Sequence, residues 1–228
     1  MSRQEAHESP RWKAPIAIVA AVGPIAFIAL VTVLGAMWDG YDPIRDTQSE
    51  LGAVDSPYGS LMNVAGFMGI GVSILCFASA YHVTLRPSAA RVVATALLAI
   101  SGAGMVAVGF FPCDPGCVDV TSTSRMHSIL SAPGAIGLPL ASMLSTSVFR
   151  NDGRLGCGWQ IVSFWLGLAV LAVGPLVATE TLAGIDGLLQ RAGMWTSLLW
   201  MTAVSVKLCA LGTVAAAPNG VAGGSQRS

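Results

Sequence analysis

The stretch from Ala14 to Met37 reads APIAIVAAVGPIAFIALVTVLGAM and carries no charged side chain. It is about 24 residues long, where a helix needs roughly 20 apolar residues to cross about 30 Å of hydrocarbon. A secretory signal core is shorter, usually about 7–15 residues, and no small-x-small cleavage site stands out before Trp38, so the stretch reads as an uncleaved first span. The same test finds five more runs in the chain: about Leu61–Val83, Val92–Phe111, Ile129–Phe149 and Trp159–Ala178, and one that begins between Gly187 and Gly193 and ends between Val206 and Ala215. Pro133 and Pro139 lie inside the fourth and Pro175 near the end of the fifth. Backbone polar groups in lipid have to pair within the segment, so these runs are predicted to be helices. They are continuous rather than alternating, which excludes a transmembrane β-barrel.

Composition agrees. Hydrophobic residues make up 54% of the 228 and charged residues only 11%, against about 25% charged in an ordinary soluble domain. Disorder requires the opposite balance. Twelve Lys+Arg against twelve Asp+Glu leave no net charge, so no basic surface for nucleic acid is expected. The predicted fold is all-α, a six-transmembrane-helix bundle over residues 14–216, with a cytoplasmic tail at 1–13 and a Gly/Ser-rich, disordered cytoplasmic tail at 217–228.

Orientation follows from the basic residues. Arg3, Arg11, Lys13, Arg86, Arg91, Arg150, Arg154 and Arg227 fall on one side of the six spans, and only Arg45, Arg125 and Arg191 on the other. Both termini are therefore predicted to be cytoplasmic, in a plasma membrane. The acids lean the other way: Asp39, Asp42, Asp46, Glu50, Asp55, Asp114, Asp119, Glu180 and Asp186 lie in the three outward loops. Polar chemistry gathers at that end. Glycines 66, 69, 71, 102, 104 and 109 line the second and third spans, where small residues let backbones approach closely.

The first outward loop carries Trp38-Asp39-Gly40-Tyr41-Asp42-Pro43 and then Thr47-Gln48-Ser49-Glu50-Leu51-Gly52. Leu51, Val54 and Leu61 are expected to anchor it to the bundle, and Ser49 to cap a short helix holding Glu50. The second loop carries Phe111-Pro112-Cys113-Asp114-Pro115-Gly116-Cys117. Asp-Pro-Gly is a turn signal that brings the two cysteines together, and a structural disulfide is the preferred reading. A catalytic dithiol and a metal site built from Cys113, Cys117, Asp114 and His127 are the alternatives; the latter lacks a second clear His or Cys partner. Cys76, Cys157 and Cys209 read as packing thiols. His127 opens the fourth span, where it is either solvated or a proton donor or acceptor. If the sixth span starts at Gly187, which we prefer, Arg191 faces the bundle, Lys207 reaches the opposite surface, and Glu50 or Asp114 is the expected partner for the arginine.

Three motifs resemble a prokaryotic membrane family catalogued as domain of unknown function 998: Tyr41-Asp42-Pro43 with Ser49-Glu50-Leu51-Gly52 and Asn63; Phe111-Pro112-x-Asp114 with His127; and Gly187-x-x-Gln190-Arg191. The resemblance covers about residues 15–216 and implies a six-helix plasma-membrane protein without an agreed activity; the Cys113/Cys117 pair is an addition to the pattern. From the residues themselves, the expected site is an outward-facing polar pocket for a lipid-like or isoprenoid small molecule. Glu50, Asp114 and His127 are its candidate catalytic groups, and Trp38, Tyr41, Asp42, Ser49, Asn63, Gln190 and Arg191 its binding groups. Hydrolysis, isomerisation and cyclisation by acid–base chemistry are all compatible with them. The alternatives are a transporter, for which Asn63, Ser101, Ser145 and Ser163 are the mild midplane candidates, and a non-catalytic lipid-binding or sensing protein. No cofactor or resident metal is expected; membrane lipid and a hydrophobic ligand are the expected partners, and a homodimer is compatible.

Overall fold

A computed structural model describes residues 13–178 and 184–216. The N-terminal and C-terminal tails expected at 1–13 and 217–228 lie outside the described residues, apart from Lys13, and so does Glu180. The six apolar runs form six long helices: α1 (Lys13–Met37), α2 (Gly59–Thr84), α3 (Ala89–Val108), α4 (Ser122–Asp152), α5 (Cys157–Ala178) and α6 (Asp186–Ala216). Each is long and apolar enough to cross a membrane. The structure is all-helical, and the protein is a multi-pass membrane protein. Large apolar side chains such as Ile18, Val22, Ile100, Ile129 and Trp165 stay on the outside of the bundle, where lipid rather than water meets them.

Each helix packs against its neighbours in chain order, and α6 closes the ring against α1; α2 and α6 also touch across the middle. That central contact is aromatic. Phe77 of α2 meets Trp200 of α6 edge-on at 5.6 Å, and Tyr81 continues the stack toward Phe149 of α4. The glycines do what small residues do in lipid. A Cβ on Gly71 would come within 2.8 Å of the Gly102 carbonyl oxygen, and one on Gly104 within 2.6 Å of the Leu130 carbonyl oxygen. Gly69 makes no such approach; it sits where a π-helical stretch, Met62–Met68, returns α2 to α-helix.

Hydroxyls join the helices at depth. The Ser73 hydroxyl donates to the Val19 carbonyl (2.9 Å), the Ser142 hydroxyl to the Ser163 carbonyl (2.7 Å), and the Trp200 indole N–H to the Ser163 hydroxyl (2.9 Å). Tyr81 and Ser145 hydrogen-bond at 2.7 Å, and the Ser101 hydroxyl lies 2.7 Å from the Pro133 carbonyl. Such bonds hold helices together where no hydrophobic force separates helix from lipid.

The two ends of the bundle are built differently. One end has tight turns. There Asp152, with a fully buried side chain, pairs with Arg154 at 2.7 Å and accepts from the Arg86 amide. Arg154 reaches on to the Thr84 carbonyl (2.6 Å). This clamp fixes the α2–α3 turn to the α4–α5 turn. The other end is capped by the long segments 38–58 and 109–121.

Candidate functional site

The cap is organised by the first turns of α6. Glycine at 187 lets α6 lie directly on the first loop, since any Cβ there would collide with the Asp46 carbonyl oxygen. In that contact the amides of Gly187 and Leu188 donate to the carbonyls of Arg45 (3.0 Å) and Ile44 (2.9 Å). These are N-terminal amides of a helix, which lack partners within it. One turn on, Gln190 accepts from the Gln48 amide (2.8 Å) and donates to the Ser49 hydroxyl (3.2 Å). Arg191 is buried; Nη1 donates to the carbonyls of Pro43 (2.7 Å), Asp46 (2.8 Å) and Gly187 (2.9 Å), and Nη2 donates to the Tyr41 hydroxyl.

Arg191 is buried against the first loop and its own helix, and its expected acidic partner is replaced. No carboxylate ion-pairs with it among the described residues, where the ion pairs are Arg45–Asp46 and Arg154–Asp152. Four oxygens of the folded loop and of its own helix already surround the guanidinium. Tyr41 links this arginine to the aromatic pair: its ring stacks on Trp38 at 5.5 Å and lies 5.5 Å from the guanidinium carbon. Burial holds the Tyr41 phenol above its ordinary range in spite of the arginine, so it stays a neutral donor, here to the Thr47 carbonyl at 2.9 Å.

The acids divide by role. Glu50 Oε1 accepts from the amide (2.8 Å) and hydroxyl (3.0 Å) of Thr47, the carboxylate half of a capping box, while the Glu50 amide donates to the Thr47 carbonyl. Ser49 makes no cap bond, which corrects the expectation for that residue; the signal was the Thr47-x-x-Glu50 spacing. Asp42 closes its own turn onto the Ile44 amide (2.9 Å). Burial raises the Asp46 carboxyl, but the bonds from Arg45 and from the Asp42 amide outweigh it and hold it below the usual range. Asp114 is buried, and both its oxygens accept from Thr121, from the amide at 2.7 Å and the hydroxyl at 3.0 Å. It ties the second loop to the start of α4.

Of the expected anchors only Leu51 is buried, on a short 3-10 turn at Glu50–Gly52 whose Gly52 is buried with it; Val54 and Leu61 are exposed. The anchor that the pattern hid is Gln48. It is 1% exposed, and its side chain contacts Met194 Sδ (2.9 Å) and the Trp195 indole (3.3 Å). A glutamine in a polar loop gives no sign of burial.

Asn63 and His127 form a second group. Asn63 Nδ2 donates to the Gly52 carbonyl (3.0 Å), and its Oδ1 is buried without a partner. His127 lies edge-on to Phe67 at 5.7 Å; its Nδ1 is 2.8 Å from the Phe111 carbonyl, and its Nε2 is buried without a partner. Cys113 and Cys117 form a disulfide, with Cα atoms 4.9 Å apart. Of the other thiols, Cys76 and Cys209 are half-buried, whereas Cys157 is exposed rather than packed. No hydrogen bond or ion pair joins Glu50, Asp114, His127 and Arg191 to one another among the described residues.

An open cleft of about 260 Å³ sits in the cap, lined by Trp38, Asp39, Gly40, Tyr41, Asp46, Glu50, Asp55 and Gly116. A second, apolar groove of about 390 Å³ runs between α3 and α4, lined by Leu97, Ile100, Ile129 and Pro133 among others.

Fold and cap together define a six-helix integral membrane protein with a polar, loop-built lid on one end. The chain belongs to the DUF998 family, described as protein of unknown function, whose family model matches residues 21–207. No curated protein and no solved structure matches it.

Proposed function

We propose that the capped end faces outward from the plasma membrane, with both termini in the cytoplasm, and that its cleft takes the positively charged head of a lipid-like small molecule. The observation that carries this reading is the lining of the cleft. Asp39, Glu50 and Asp55 have no cationic partner among the described residues, and they stand beside the stacked Trp38–Tyr41 pair. Carboxylates beside aromatic faces are what recognises an ammonium group. The two cations nearby are already satisfied: Arg45 by Asp46, and Arg191 by carbonyls. A volume of about 260 Å³ falls just under the usual range for drug-sized ligands, which suits a head group whose apolar body stays in the bilayer.

Acid–base turnover at this cleft falls to Glu50, since both Asp114 oxygens are engaged by Thr121. A transport site at the midplane has less support. Ser101, Ser145 and Ser163 are each spent on contacts between helices, and Asn63 lies under the cap, bonded to Gly52.

The test is titration of the purified chain in nanodiscs with a short-chain lipid bearing a primary ammonium head, against the same chain length with an anionic glycerol-phosphate head. The ammonium lipid is expected to bind in preference, and Glu50→Gln with Asp55→Asn to weaken it at least about tenfold, roughly 1.4 kcal/mol. Equal binding of the two lipids, or an unchanged affinity in the double variant, contradicts the reading.

A further inference from the structure

Cys113, Cys117 and His127 offer two sulfurs and a ring nitrogen that lie within 4.8 Å of one another. We propose that reduction of the Cys113–Cys117 disulfide opens a two-thiolate, one-imidazole site for a soft closed-shell ion, Zn(II) or Cu(I). The site is separate from the cleft reading and does not depend on it.

The histidine is already set as a ligand. The Phe111 carbonyl can only accept, so His127 Nδ1 carries the hydrogen across the 2.8 Å contact, and the neutral ring keeps its lone pair on Nε2. A carbonyl holding the far nitrogen in this way is how metal-binding histidines are usually oriented. Nε2 is buried without a partner, and the residue is only 4% exposed. A buried lone pair with nothing to accept from is costly, and this ring, at the start of α4, has a nitrogen within 4.8 Å of both sulfurs. In a zinc site, sulfur stands about 2.3 Å and nitrogen about 2.0 Å from the ion, so ligand atoms are roughly 3.3–3.8 Å apart. Reduction frees the two bonded sulfurs to part to that spacing, and side-chain movements of about an ångström bring the ring nitrogen within it. Asp114 does not complete the set, because Thr121 holds both its oxygens. The third ligand is therefore the imidazole, and thiolate with imidazole selects Zn(II) or Cu(I) over hard cations.

The chemistry balances with a dithiol as the reductant. Cys113 is buried and Cys117 half-buried, so a thiolate of the dithiol attacks Cys117 Sγ and the Cys113 sulfur leaves. The second thiol of the reductant then attacks the mixed disulfide, releasing Cys117 and leaving the reductant as a disulfide. Two electrons and two protons have passed to the protein. Binding of the ion displaces the two thiol protons to solvent.

The experiment uses the full chain in detergent with Cys76, Cys157 and Cys209 changed to serine, so that only this pair can respond. Oxidised and dithiol-reduced forms, freed of reductant, are given Zn(II), Co(II) as its spectroscopic stand-in, or Cu(I) against a chromophoric chelator. The expected result is no bound ion in the oxidised chain and one per chain after reduction, with thiolate-to-cobalt charge-transfer absorption. Cys113→Ser with Cys117→Ser is expected to abolish binding, and His127→Ala to weaken it at least about tenfold. Nitrogen NMR of histidine-labelled parent chain reads the same point without a variant, by the shift of the His127 ring on adding Zn(II). A reduced chain that takes no more ion than the oxidised one overturns the proposal. So does a His127→Ala chain that binds as tightly as its parent, or a His127 ring that does not shift.

Discussion

At Arg191 one side chain gathers the first loop. Its guanidinium reaches the carbonyls of Pro43 and Asp46, the Gly187 carbonyl of its own helix and the Tyr41 hydroxyl, a set that a planar fork of donors can serve and an ammonium point charge cannot. Arg191→Ala leaves buried acceptors unpaired, at about 1–3 kcal/mol for each group left without a partner. Such losses do not add fully, and a net destabilisation of roughly 3 kcal/mol is expected, read as a lowered unfolding temperature in detergent. Arg191→Lys is expected to recover less than half of it. A lysine variant as stable as the parent contradicts this role. An acidic partner for the arginine was a reasonable expectation from charge alone. Backbone carbonyls compete for the same donors, and nothing in a string of residues announces which carbonyls a folded loop will turn inward.

At the scale of elements, the motif that opens α6 joins two segments far apart in the chain. Gly187, Gln190 and Arg191 lie in the first two turns of α6, and all three contact segment 43–49. The motif is thus a docking edge for the first loop. Gly187→Ala places a methyl group against the Asp46 carbonyl and strains the two hydrogen bonds that the amides of residues 187 and 188 donate to the Arg45 and Ile44 carbonyls. The expected cost is about 1–3 kcal/mol, as for overpacking elsewhere. Hydrogen exchange is expected to rise in segment 39–52 while α3 and α4 stay protected. Uniform exchange in parent and variant contradicts the docking role. Asp114 and Asn63 act in the same way on other segments, holding the second loop to α4 and α2 to Gly52.

For the whole molecule, six spans and their packing by glycine were legible because the bilayer imposes length and apolarity on every crossing. α6 starts at Asp186, one residue before the preferred Gly187, and Arg191 is buried near its start, since a long span has to place its charges near its ends. The disulfide followed from a turn signal between two cysteines. What stayed hidden was tertiary: Gln48 buried in a polar loop, the Asp152–Arg154 clamp at the far end, and a cleft whose lining comes from residues 38 to 116. Sequence placed Glu50, Asp114, His127 and Arg191 at one end of the bundle, but their hydrogen bonds run to separate neighbours.

The proposed function requires that capped end, with its acidic cleft, to look out of the cell. Single cysteines in a background lacking Cys76, Cys157 and Cys209 test it: Ile44→Cys, exposed in the cap, and Pro87→Cys, exposed in the α2–α3 turn at the other end. With a membrane-impermeant maleimide on intact cells, labelling is expected at position 44 and none at 87 until the membrane is opened. Labelling at 87 in intact cells, with 44 silent, contradicts it.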